Sequence, residues 1–127
     1  MSLSGYRVNA QIAVSDMARA QEFYEAKLGL SPEGDQHEGS RRYACGGGSS
    51  LHVYAAPAHA GTATGTVARW DVDDLERAVD ELSANGVTFE QYDEPVKTDE
   101  KGVHDSGYGR VAWFKDPDGN TFALEQT

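Results

Sequence analysis

The chain has 127 residues, 39% of them hydrophobic and 25% charged, a balance that fits one soluble globular domain or two fused half-domains sharing a core. Its formal charge of −10, from 21 acidic and 11 basic residues, repels phosphate backbones and argues against nucleic acid as a partner. A single cysteine, Cys45, excludes an internal disulfide and a cysteine-rich zinc site; with no apolar run near the ~20 residues of a membrane span and no secretory pattern in residues 1–6, no membrane partner and a cytoplasmic location are expected.

In chain order, residues 6–14 alternate. Val8, Ala10, Ile12 and Val14 share one face, and Asn9, Gln11 and Ala13 share the other, which predicts a strand. Asp16 is placed to cap a helix, and Met17, Ala20, Tyr24 and Leu28 form one helical stripe after it. Gly29 supplies the left-handed position that ends a helix. Residues 30–38 are polar and weakly patterned, a poor strand with a turn at Glu38-Gly39-Ser40. Residues 41–45 and 50–55 read as two strands of a hairpin around Gly46-Gly47-Gly48. Residues 57–65, with Pro57 and Gly61, read as a linker.

The second half follows the same plan. Residues 66–72 predict a strand. Asp73 or Asp74 caps a helix with Leu75, Ala78, Val79 and Leu82 on one face, closed by Gly86. Residues 87–92 predict a strand and 93–109 a long polar loop carrying His104. Residues 110–115 and 121–126 are the last strands, joined by the turn signal Asp116-Pro117-Asp118-Gly119-Asn120.

The halves are related in sequence. Val14-Ser15-Asp16-Met17-Ala18-Arg19-Ala20 recurs as Val72-Asp73-Asp74-Leu75-Glu76-Arg77-Ala78, with four of seven positions identical. The expected architecture is α+β: a single domain over 1–127 made of two βαβββ modules, 6–56 and 66–127. Neither module is large enough to cover both faces of its sheet. Helices are therefore expected outside a curved, barrel-like mixed sheet whose other face forms a shared concavity.

The run Val14-x-Asp16-Met17-x-x-Ala20-x-x-Phe23-Tyr24-x-x-x-Leu28-Gly29-Leu30 resembles the first module of the vicinal oxygen chelate superfamily, the group of glyoxalase I, bleomycin resistance proteins, fosfomycin resistance proteins and extradiol dioxygenases. Residues 72–86 and the run Phe114-Lys115-Asp116-Pro117-Asp118-Gly119-Asn120 resemble the second module and its terminal hairpin. The resemblance implies the paired-module fold and, by analogy with relatives that sequester ligands, a homodimer. It identifies a fold rather than a reaction.

In metal-using members the resemblance implies four ligands, from the first and last strands of each module. Those positions fall on Asn9, His52, Val67 and Ala123, with Glu125 two residues further on. Val67 and Ala123 carry no donor atom, and a catalytic metal needs about three protein ligands. No metal or other cofactor is therefore expected, and His52 and Glu125 are the fallback ligands. A one-residue slip gives Ala10 and Ala68, which also carry no donor. A two-residue slip gives Gln11, Tyr54, Arg69 and Glu125, where Arg69 repels a cation.

Period-two alternation puts Asn9 with Gln11, His52 with Tyr54, Val67 with Arg69, and Ala123 with Glu125 on the same faces. If these faces line the concavity, it holds a polar organic molecule through Asn9, Gln11, His52, Tyr54, Arg69 and Glu125. His52 or Glu125 would serve as base and Arg69 as the stabiliser of an anionic oxygen, should a reaction occur. Simpler readings stay open at each position. His52 is also a plain strand histidine, Arg69 and Glu125 are also an ion pair, and Tyr54 also packs. Parity turns Trp70 toward the helix side and leaves Trp113 unassigned. Cys45 reads as a small buried thiol, and His104 sits on a loop long enough to close over a ligand.

The function expected first is metal-independent binding of a small organic molecule. The alternative is an enzyme of the superfamily, a lyase, isomerase or dioxygenase, using His52 and Glu125. A subunit with a vestigial cavity ranks third.

Overall fold

A computed structural model describes residues 2–34 and 37–127. Strands β1 (Ala10–Val14), β2 (Ser40–Ala44) and β3 (Ser50–Ala55) form one sheet in the order β1-β3-β2, with β1 parallel and β2 antiparallel to the central strand. Strands β4 (Thr66–Asp71), β5 (Val103–Asp105), β6 (Arg110–Lys115) and β7 (Thr121–Gln126) form the other, in the order β4-β7-β6-β5. Helix α1 (Met17–Gln21) widens into a π-helical stretch, Glu22–Lys27, and helix α2 spans Leu75–Ala84. Among the described residues no helix is long and apolar enough to cross a membrane.

The internal repeat folds into a repeated local structure. Asp16 Oδ1 accepts from the Arg19 amide at 3.1 Å, and Asp74 Oδ1 accepts from the Arg77 amide at 3.1 Å. Each bond satisfies an amide that the first helical turn leaves without a partner. Gly29 and Gly86 then take positive φ, 76° and 97°, where each helix stops.

The α+β class and the paired modules agree with the expectation from sequence, and the two sheets remain open rather than closing into one barrel. Three strand expectations need correction. The first strand begins at Ala10, not residue 6, because its parallel partner begins pairing at Leu51, opposite Ala10. Tyr6 and Val8 are accordingly exposed, at 60% and 85%. Residues 30–38 make only the isolated bridges Pro32↔Tyr43 and His37↔Ser40, with Asp35 and Gln36 outside the described residues. Residues 87–92 contribute one bridge, Phe89↔Phe114, and the outer strand comes instead from the expected loop, as β5. Asp99 causes this: its Oδ1 accepts the amides of Lys101 and Val103, both at 2.9 Å, and folds the chain back beside β6.

One core joins the modules. Tyr24 packs edge-on against Phe122 at 6.0 Å and stacks with Tyr43 at 6.1 Å, while Phe23 approaches Phe114 at 6.2 Å. Trp70 stacks on Phe114 on this inner side, as strand parity predicts. The hairpin 116–120 fastens the modules together. Tyr24 donates to Asp116 Oδ2 at 2.6 Å, Ser15 donates through its amide and hydroxyl to Asp118, and Asn120 Nδ2 donates to the Ala13 carbonyl at 2.9 Å. Gly61, at φ 67°, lies against the same hairpin, and a Cβ there would collide with the Asp118 carbonyl oxygen.

Two buried phenols make stability sensitive to alkali. Burial first, then the charge and hydrogen bond of Asp116, push Tyr24 far above its ordinary range, and burial with the hydrogen bond to Glu25 pushes Tyr43 up. In the unfolded chain both ionise near pH 10, while in the folded chain they stay protonated. The folded state then holds more protons, so stability is full below about pH 10 and falls above it, by up to about 1.4 kcal/mol per pH unit for each phenol. Urea titrations between about pH 9 and about pH 11 should show this fall, and Tyr24→Phe should reduce its slope by one phenol's share. A flat profile would contradict it.

Candidate functional site

Alternation along the strands divides each sheet into a core face and an open face. In the first sheet Ile12, Val14, Leu51 and Val53 are buried, which turns Gln11, His52 and Tyr54 to the open side. The register places Gln11 beside His52 and His52 beside Arg42, so these three form one row across the sheet. Arg42 Nε donates to His52 Nε2 at 3.1 Å, which leaves the proton of a neutral imidazole on Nδ1. Asn9 precedes β1, and its side-chain oxygen accepts from the Ser50 hydroxyl at 2.8 Å. Tyr54 lies opposite Ser40.

In the second sheet Ala112, Phe114, Phe122 and Leu124 are buried, and Arg69, Trp113 and Glu125 stand on the open side. A hollow of about 410 Å³ lies there, walled by Val67, Arg69, Val111, Trp113, Ala123 and Glu125. Arg69 is held between two carboxylates: Nη1 reaches Glu125 Oε2 at 2.7 Å and Nε reaches Asp71 Oδ1 at 3.2 Å. Trp113 meets Tyr92 edge-on at 5.6 Å and His104 at 6.3 Å. His104 Nδ1 also contacts the Lys97 carbonyl at 2.8 Å. The expected loop histidine is thus seated at the border of this face.

The six residues singled out from sequence therefore fall into two groups. Asn9, Gln11, His52 and Tyr54 belong to the first sheet, and Arg69 and Glu125 to the second. Within one chain their hollows are separate, and His52 and Glu125 line different ones. Two residues were missed. Trp113 was left unassigned, although its alternation with buried Phe114 marks its face. Arg42 carries no signal in the sequence, because its place beside His52 depends on cross-strand register.

The implied metal set fits these residues poorly. Val67 and Ala123 bring no donors, Glu125 is engaged by Arg69, and His52 Nε2 is occupied by a guanidinium that repels a cation. Among the described residues no three His, Cys, Asp or Glu side chains cluster as a cation site. Cys45 is half-buried, with its sulfur 3.9 Å from the Tyr43 carbonyl.

A family model, the Glyoxalase/Bleomycin resistance protein/Dioxygenase superfamily, matches residues 7–124. The chain belongs to that superfamily. Its solved relatives cover nearly whole chains. A glyoxalase/bleomycin resistance protein from Catenulispora acidiphila is 25% identical over 95% of this chain and 97% of its own, with a TM-score of 0.70. TnmS3, an antibiotic-binding protein from Streptomyces sp. CB03234, is 26% identical over 95% and 94%, with a TM-score of 0.69. A bleomycin resistance determinant encoded on the transposon Tn5 shares the fold at 21% identity, over 96% and 98%, with a TM-score of 0.72. No curated protein sequence matches significantly. The superfamily assignment agrees with the paired-module fold.

Proposed function

We propose that this superfamily member is a metal-independent small-molecule-binding protein that holds a polar organic ligand against its open sheet faces. The observation that carries this reading is the second-sheet hollow. Its volume of about 410 Å³ falls within the ordinary range for ligand sites, it has an aromatic wall in Trp113, and two of the four implied metal positions, Val67 and Ala123, line it without donor atoms. The likeness to an antibiotic-binding protein supports binding over turnover. A homodimer is part of the proposal, because two copies would bring together half-sites that one chain keeps apart. Exposed Tyr6, Val8 and Tyr108 offer apolar surface for such a contact.

The test pairs metal content with binding. Tag-free protein purified without chelator should contain far less than one metal per chain by elemental mass spectrometry. Screening metabolites and antibiotics should find ligands that quench tryptophan fluorescence, with the response lost in Trp113→Phe and kept in Trp70→Phe. Arg69→Gln should weaken binding about tenfold, about 1.4 kcal/mol. Stoichiometric zinc, nickel, iron or manganese would overturn the reading in favour of an enzyme using His52 and Glu125.

A further inference from the structure

The net charge of −10 suggests a cationic ligand, and the distribution of charge on the folded chain points the other way. In the second module every arginine is neutralised: Arg69 by Glu125 at 2.7 Å, Arg77 by Glu81 at 3.0 Å, and Arg110 by Glu76 at 2.6 Å. In the first module Arg19 pairs with Asp118. Among the described residues Arg7, Arg41 and Arg42 have no ion-pair partner.

These three border two adjoining hollows. Arg7 and Arg42 line one small hollow of about 160 Å³ with Asn9, Ser49 and Ser50. Arg42 also lines the neighbouring hollow of about 300 Å³ with His37 and His52. Arg7 Nη2 lies 3.5 Å from where a Cβ on Gly48 would be, ordinary contact distance, so Arg7 reaches over this turn. Arg41 stands at the rim, its Nη1 fixed to the carbonyls of His37 and Ser40 at 2.8 and 2.9 Å, and adds positive charge without being available as a donor fork. Glu33 borders both hollows and, among the described residues, sets one carboxylate against three guanidiniums.

Like charges gathered in a concavity repel one another, and the effect is larger where the wall excludes water. The chain has 21 acidic residues against 11 basic ones, yet among the described residues no carboxylate pairs with these arginines. Guanidinium groups beside an imidazole match the planar or tetrahedral oxygens of an anion, while the Ser49 and Ser50 hydroxyls donate to the Gly46 carbonyl and to Asn9.

We propose that the open face of the first sheet is an anion receptor, built on Arg7 and Arg42 with His52 beside them, that takes the carboxylate or phosphoryl head of a small organic ligand. This rests on the binding function proposed above and assigns the ligand's charge. Arg42 is then the principal contact and His52, held by Arg42 Nε, the second.

Calorimetric titration of the full chain with phenyl phosphate, benzoate, inorganic phosphate and benzylamine tests it. Phenyl phosphate and benzoate should bind and benzylamine should not, with affinity falling as salt rises. Arg42→Gln and Arg7→Gln should each weaken anion binding about tenfold, and Arg77→Gln, on the far helix, should leave it unchanged. Thermal melts of the variants report that they are folded. Inorganic phosphate binding as tightly as phenyl phosphate would overturn the organic ligand in favour of a free-ion site. Benzylamine binding in place of the anions would overturn the inference and leave the binding function standing. Equal anion affinity in Arg42→Gln, or no binding by any probe, would also overturn it, while the metal analysis judges the binding function separately.

Discussion

Asp116→Ala is expected to remove about 3–5 kcal/mol of stability, against a total of about 5–15 kcal/mol for a domain of this kind. Asp116 is 5% exposed, and four donors converge on its carboxylate. Oδ1 accepts the amides of Asp118 at 3.0 Å and Asn120 at 2.8 Å, and Oδ2 accepts the Tyr24 hydroxyl at 2.6 Å and Asn120 Nδ2 at 2.8 Å. Alanine leaves all four without that acceptor in a site too buried for water to replace it freely. The loss also reaches across the molecule, since Tyr24 belongs to the first module and the hairpin to the second. Tyr24→Phe deletes one of the four bonds and keeps the carboxylate satisfied by the rest, so about 1–2 kcal/mol is expected. Urea denaturation followed by tryptophan fluorescence measures both. A loss below about 1 kcal/mol for Asp116→Ala would show that the hairpin does not clamp the modules.

Phe114→Ala should cost a similar amount, about 3–5 kcal/mol, by a different mechanism. Phe114 is fully buried, and its ring meets Phe122 at 5.6 Å, Phe89 at 5.7 Å, and Trp70 and Phe23 at 6.2 Å each. Truncation loses the burial of the ring and leaves a void that sheet backbone on one side and helix α2 on the other cannot fill. The site also borders an existing apolar hollow of about 280 Å³ beneath Leu28, Leu30 and Leu82, so collapse would have to draw in side chains that already lack full packing. Phe114→Leu keeps most of the volume and should cost less than about half as much. The transition midpoint should fall by on the order of 10 °C for the alanine variant. A shift of only a degree or two would mean that the aromatic cluster repacks.

The residues 14–20 and 72–78 announced two helices with the same start; Asp16 caps the first as expected, and of the two candidates Asp73 and Asp74, Asp74 caps the second. That much is local: a cap depends on a side chain three residues from the amide it satisfies, and a stripe depends on a repeat of 3.6. Shared strand faces were legible for the same reason: parity put Gln11 with Asn9, Tyr54 with His52, Arg69 with Val67 and Glu125 with Ala123. The ends of strands were not legible, because a strand ends where its neighbour does. Residues 6–9 have the alternation of a strand and no partner to pair with, and 103–105 have little pattern and acquire one through Asp99.

The sequence by itself determined the repeat, the helices, the terminal hairpin and the poverty of metal donors at Val67 and Ala123, since each depends on residue identity and short spacing. Only the tertiary structure decided which open-face residues meet. It paired Arg69 with Glu125 and Asp71, set Arg42 against His52, brought Arg7 to the same hollow, and turned Trp113 into the wall of another. Those neighbours come from cross-strand register and chain crossings over tens of residues, and a net charge of −10 averages away the basic concavity that they create.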